Sequence, residues 1–267
     1  MKTIVAACLP FLFASLVPAQ TAQQRGKQIV DEAIAALGGK AFLSMEDRVE
    51  SGRAYSFYRE RLSGLSVATI YTRYVTPGRA QDKVDLGVRE RQAFGKDEDS
   101  SVLFTGDAGY EITFRGARPI DEERLARYQE STRRNIFYIL RQRLTEPGLI
   151  FESRGSEIVD NQPVEIVDIT DADNRTVTVY FSQATKLPTR QIYLRRDPKS
   201  RERDEEVTLY SKYRDVGGGV MWPFAIQRER NGEKIYQIYS ESVKVNQNLT
   251  DDLFTLPMNM KVLTKKK

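Results

Sequence analysis

The residues of this chain best suited to chemistry are aromatic and aliphatic rather than nucleophilic. The sequence contains no histidine and one cysteine, Cys8. Serine–histidine and cysteine–histidine catalysis, and zinc sites built on imidazole, therefore have no material to work with. Instead, Tyr71, Phe104, Tyr110, Val179, Phe181, Tyr210, Trp222, Phe224 and Tyr236 fall in stretches of alternating pattern with neither face cleanly polar. If a sheet bends around such side chains they can line a hollow, and a hollow suits a hydrocarbon tail because each buried CH₂ contributes about 0.8 kcal/mol. The competing reading of each is an ordinary core position. Arg73 and Arg79 are candidates to flank the mouth of that hollow, where a guanidinium can hold a phosphate or carboxylate headgroup; the alternative is a plain surface arginine.

Two acidic patterns compete with this reading. Asp168, Asp171, Asp173 and Asn174 cluster like a calcium loop but lack its glycine and its distant bidentate glutamate, so they read as a hairpin tip. A glycosidase needs only two facing carboxyl groups, yet no Asp/Glu pair stands out from the charged background. A carboxylate-dependent hydrolase is thus the third reading, and neither a metal nor a cofactor is expected.

The elements that must position these residues begin after an export segment. Lys2, the apolar run from Ile4 to Val17 and the small residue Ala19 match a cleavable signal peptide, expected to be cut near Ala19 with Ala22 as the alternative. The run is short for a membrane span, which needs about 20 apolar residues. Val5-Ala6-Ala7-Cys8 looks like a lipoprotein box, but Cys8 sits too early in the apolar run for that. The remainder is expected to be one domain over 20–260 with a basic tail at 261–267. Its mild net charge, +4 with 41 Lys/Arg against 37 Asp/Glu interspersed along the chain, is far from a nucleic-acid-binding signature.

Ile29, Val30, Ala33, Ile34 and Leu37 recur at helical spacing and predict an amphipathic helix over 24–37, ended by Gly38-Gly39. From 45 to 114 an alternating pattern rich in Tyr, Phe, Val and Thr predicts an antiparallel meander, interrupted at Gly64, Pro77-Gly78, Gly95 and Gly106. A single helix is expected over 121–144, capped by Asp121. It would carry an apolar stripe of Leu125, Tyr128, Ile136, Ile139, Leu140 and Leu144 opposite a basic face of Arg133, Arg134, Arg141 and Arg143. Strands then resume at 149–157, 162–170, 175–182, 188–196, 205–214, 220–230 and 233–245. Asp160-Asn161, Asp171 to Asn174, Asp197-Pro198, Gly217-Gly218-Gly219 and Asn231-Gly232 stand at the turns between them. The charged run from Arg195 to Glu206 reads as a solvated loop. The sum is a mainly antiparallel α+β domain: one strongly curved half-barrel sheet of about eleven strands, its concave face covered by the N-terminal helix and the long middle helix.

This order resembles the periplasmic lipoprotein-carrier fold shared by LolA, LolB and related lipid-binding proteins. The residues that carry the resemblance are Phe104-Thr105-Gly106-Asp107-Ala108-Gly109-Tyr110, Tyr213-Arg214-Asp215-Val216-Gly217-Gly218-Gly219 leading into Trp222-Pro223, and Asp251-Asp252-Leu253-Phe254-Thr255-Leu256-Pro257. The carriers place an arginine directly before a proline in an early strand, whereas this chain has Thr76 before Pro77. The resemblance implies a non-catalytic periplasmic carrier for a lipid or an acylated lipoprotein, touching the membrane only transiently. The alternative it implies is an envelope sensor or protein-interaction domain of the same shape.

Overall fold

The computed structural model describes residues 20–76, 86–197 and 201–264, with the backbones of 79–80 and 83–84 between them. The export segment with Cys8, the Pro77-Gly78 break, Pro198 and Lys265-Lys266-Lys267 lie outside the described residues.

Thr21 starts the first helix, α1 (Ala22–Ala36), through a capping box: its hydroxyl accepts from Gln24 N while the Gln24 side chain accepts from Thr21 N. Ile29, Val30, Ala33 and Ile34 form its buried face. Gly38 (φ 119°) and Gly39 (φ 54°) adopt backbone angles that favour glycine, and a short second helix α2 (Lys40–Leu43) follows. The strands are then β1 (Asp47–Tyr58), β2 (Arg61–Tyr74), the small pair β3 (Arg79–Ala80) and β4 (Lys83–Val84), β5 (Val88–Phe94), β6 (Ser100–Phe104), β7 (Gly109–Thr113) and β8 (Gly116–Pro119). Helices α3 (Glu122–Arg133) and α4 (Ile136–Tyr138) and a π-helical turn (Ile139–Arg143) come next. After them run β9 (Ile150–Val159), β10 (Gln162–Thr170), β11 (Thr176–Ser182), β12 (Pro188–Arg196), β13 (Arg203–Asp215), β14 (Met221–Arg230) and β15 (Glu233–Val245), with a 3-10 turn at Asp251–Phe254.

Thirteen strands form one open antiparallel sheet in the order β8-β7-β6-β5-β2-β1-β15-β14-β13-β12-β11-β10-β9. The chain builds one half outward to β8, crosses through the helices to the far edge at β9, and walks back until β15 pairs with β1, Arg48 opposite Val245 and Glu50 opposite Val243. The half-barrel α+β architecture matches the sequence reading, with two more strands than the eleven expected. Two of the reversals in the first half depart from the sequence reading. The hairpin between β1 and β2 turns at Arg59 (φ 47°) and Glu60 (φ 59°), not at Gly64, which sits inside β2 opposite Ser56 beside a register shift. Neither arginine nor glutamate advertises a left-handed turn, so nothing local marked it. The second reversal, between β7 and β8, leaves Phe114 exposed at the turn rather than in a strand.

The middle helix is divided where one continuous helix was expected. Asn135 is extended (φ −70°, ψ 127°), and its side chain accepts from Phe137 N and Tyr138 N, capping a second segment. Gln191 Oε1 takes Ile136 N at 2.9 Å. No residue of α3 is fully buried, whereas Ile136, Phe137, Tyr138, Ile139 and Leu140 all are. Three arginines of the basic face make contacts within the protein. Arg141 Nη2 donates to Met45 O at 2.9 Å, Arg134 Nη1 to Leu194 O at 2.7 Å, and buried Arg143 pairs with Glu146 and with Asp171 (3.0 Å). The charged run from Arg195 to Glu206, expected as a solvated loop, is a correction at its ends. Arg195 (5% exposed) pairs with Asp204, and Glu206 (4%) with Arg230 at 2.8 Å, because these residues face each other across β12, β13 and β14.

The main core joins α1, α2 and α4 to the β9–β15 half through Phe42, Ile136, Phe137, Val179, Phe181 and Trp222. A smaller core of Leu103, Ile112, Ala117 and Phe254 packs with the C-terminal segment. Lys261–Leu263 lie along β8: Ala117 N donates to Lys261 O at 2.9 Å, and Leu263 N to Ala117 O at 2.7 Å. Backbone pairing with β8 therefore reaches Leu263.

Candidate functional site: a cavity under the divided helix

A cavity of about 380 Å³ lies between the concave face of the sheet and the helices α3 and α4. That is within the range of about 300–1,000 Å³ typical of small-molecule sites. Strand alternation and register build its floor in rows: Gln191, Thr208, Arg228 and Tyr236 oppose one another across β12 to β15, and Tyr210, Ile226 and Ile238 form the next row. Ile70, Glu90 and Gln92 continue it on the β2–β5 side, and Tyr128, Phe137 and Tyr138 close it from the helices.

Hydrogen bonds hold this roof in place. Gln191 Oε1, already taking Ile136 N, also accepts from Tyr210 OH at 2.8 Å, and Tyr138 OH donates to Leu86 O at 2.8 Å. Phe137 packs 4.6 Å from Trp222 and edge-on to Tyr210 at 5.0 Å, and Tyr128 stacks on Phe104 at 3.6 Å. Burial pushes the Tyr210 and Tyr236 hydroxyls far above the ordinary phenol value, so both stay neutral donors.

Charged residues stand among the aromatic, aliphatic and neutral polar side chains of this space. Arg48 Nη2 donates to Thr72 Oγ1 at 3.1 Å, its Nε lies 3.6 Å from Glu50, and its guanidinium sits 4.0 Å above the Trp222 ring. Glu50 also takes the Ser240 hydroxyl. Glu90 accepts from Gln92 Nε2 at 2.6 Å, and enclosure pushes its carboxyl above the usual carboxylate range. Arg228 has no hydrogen bond, ion pair or ring contact among the described residues. Trp222 Nε1 and Arg48 Nε are buried without a hydrogen-bond partner.

Of the residues picked from the sequence, Tyr210, Trp222 and Tyr236 line this cavity together. The others lie elsewhere. Tyr71 and Tyr110 pack against the smaller core, and burial, helped by a hydrogen bond to Glu98, pushes Tyr71 up to about 12. Phe104 stands behind Tyr128 in its own cluster with Val102 and Ile120, and Val179, Phe181 and Phe224 are buried in the main core. Arg73 is paired with Asp251 of the C-terminal turn, off the cavity; Arg79 lies in β3, its side chain outside those described. Arg48, Glu50, Glu90 and Arg228 were missed. Arg48 and Glu50 alternate on one face of β1, a pattern that elsewhere marks the solvent side. The acidic tip does what its composition implied: Asp171 Oδ1 accepts from Asp173 N (3.1 Å) and Arg175 N (3.0 Å).

A single open antiparallel half-barrel with helices crossing its concave face over a cavity is a LolA-like fold. No protein-family model matches the chain, and no curated protein sequence matches it. Among solved structures, the chain is similar to an outer membrane lipoprotein-sorting protein domain from Vibrio parahaemolyticus (TM-score 0.56, 11% identity, 87% of this chain and 97% of that one). It is also similar to a DUF1329 family protein from Desulfovibrio piger (TM-score 0.56, 15% identity, 86% and 97%). A LolA superfamily protein from Nitrosomonas europaea shares the shape at TM-score 0.53 and 12% identity, with 86% and 97% covered. At these identities the likeness is one of fold. Among the described residues no helix is long and apolar enough to cross a membrane.

Proposed function

We propose that this chain is an exported, periplasmic carrier that holds a lipid, or the acyl chain of a lipoprotein, in the cavity between its curved sheet and α3/α4, without catalysing a reaction. The observation that carries the reading is the cavity itself: about 380 Å³, lined by aromatic and aliphatic side chains interspersed with polar ones, under a helix of which no residue is fully buried. Transfer of hydrocarbon into such a space supplies about 0.8 kcal/mol per CH₂, so affinity needs no reactive group. The likeness to lipoprotein-sorting and LolA superfamily folds supports the same reading, as does the signal-like N-terminus.

The chain's single tryptophan, Trp222, lines the cavity and makes the test direct. Protein purified from its own host is expected to release extractable lipid. After delipidation, adding a long-chain fatty acid should change Trp222 fluorescence saturably at one ligand per chain. Absence of both signals, with one envelope protein co-purifying tightly instead, would replace the carrier by a protein-interaction domain of the same fold.

A further inference from the structure

We infer that the cavity is built for an amphiphile with a single anionic head, whose carboxylate or phosphate is held by Arg228 and whose hydrocarbon tail runs toward Trp222. The inference rests on the carrier reading and names its ligand class.

Three observations converge on Arg228. First, the other charges of the cavity are answered from within the protein: Arg48 by Glu50 and Thr72, Glu50 by Ser240 as well, and Glu90 by Gln92. Arg228 lines the same space with no hydrogen-bond or ion-pair contact among the described residues, feeling Glu90 only through space. A guanidinium half-withdrawn from water beside tyrosines is costly to leave unpaired, and its planar fork matches a carboxylate or phosphate. Second, its row supplies neutral polar company. Thr208 and Tyr236 are its cross-strand neighbours and Gln191 lies beyond Thr208, so an anion there meets hydroxyls and an amide rather than a carboxylate in the same row. On the opposite wall, enclosure favours the neutral form of Glu90, which lowers its repulsion of an incoming anion.

Third, the cavity has a polarity of depth. Arg228, Tyr236, Gln92 and Phe94 are half-buried, whereas Trp222, Phe137, Tyr210 and Ile238 are buried. Trp222 and Arg228 lie on the same face of β14, about 20 Å apart by strand rise. That separation suits a long acyl chain with its head at the accessible end and its tail at the closed end.

The test uses Trp222 fluorescence with delipidated full-length protein and three probes of equal chain length: a fatty acid, a monoalkyl phosphate and a fatty alcohol. The wild type is expected to bind at least one anion about 10- to 100-fold more tightly than the alcohol, the gain typical of a charge-assisted hydrogen bond. Whichever anion binds more tightly identifies carboxylate or phosphate as the preferred head. Arg228→Gln should bind all three like the alcohol, and Arg228→Lys should keep part of the preference; alcohol binding by each variant reports that its cavity has folded. A fatty acid brominated at its methyl end should quench Trp222 more than one brominated beside its carboxyl group. Equal binding of anion and alcohol by the wild type, an intact preference in Arg228→Gln, or stronger quenching from the carboxyl end would each overturn the inference while leaving the carrier reading standing. Binding of none of the three probes would overturn both.

Discussion

Gln191 and Glu90 show how single side chains set the properties of this cavity. One amide oxygen of Gln191 receives both the first backbone N–H of α4 and the Tyr210 hydroxyl. Tyr210→Phe is therefore expected to cost about 1 kcal/mol, lowering the thermal midpoint by about 2–4 °C in a scan of a protein this size. Glu90 predicts a pH effect whose sign is opposite to that of most carboxylates. Its folded pKa is raised, so the native state holds the proton more tightly than the unfolded chain. Stability from this group falls as pH rises from the unfolded value of about 4.3 through the raised one. Urea melts at several pH values should show Glu90→Gln gaining stability over wild type as pH rises, and an equal difference at all pH values would refute the assignment. None of this was visible locally. Aromatic identity singled out Tyr210, Trp222 and Tyr236 but equally Tyr71 and Tyr110, because residue type reports a wish for burial and not the compartment in which burial occurs.

At the scale of elements, two positions show packing overruling propensity. Gly26 lies on the buried face of α1, and a Cβ built there would stand 2.6 Å from the Phe151 carbonyl oxygen of β9. Alanine is the better helix former by about 1 kcal/mol, yet Gly26→Ala is expected to destabilise by about 1–3 kcal/mol, because helix and strand backbones must separate. A gain in thermal midpoint would contradict that. Asn135 divides the middle helix, and Asn135→Ala should cost about 1 kcal/mol and loosen α4, seen as faster amide exchange at Phe137 and Tyr138 than in the rest of the core. Most elements were legible. Strands from 150 to 245 follow the alternation closely, since Asp160-Asn161 and Asn231-Gly232 are turn residues in left-handed conformations. The helix break at Arg134–Asn135 was hidden, because an apolar stripe continues through it and the cap matters only once Gln191 approaches from β12.

For the molecule as a whole, an open sheet must manage its edges, and the C-terminal segment covers one of them. Deleting residues 261–267 should leave the backbone of Ala117 unpaired and β8 exposed, giving concentration-dependent association by light scattering where the full chain stays monodisperse. Under the carrier reading, removing bound lipid should lower the thermal midpoint by several degrees and adding it back should restore it, as mass action requires of a ligand that binds only the folded state. By itself the sequence determined the class and order of elements, the absence of histidine and thiol chemistry in 20–267, and the half-barrel expectation. Each of these follows from composition, period and turn residues within a few positions of one another. Only the tertiary structure decided which face of each strand encloses the cavity and which charges stand in it. Alternation says that the two faces of β1 differ, but Arg48 and Glu50 turn inward only because β15 pairs with β1 and the sheet curves around α3 and α4.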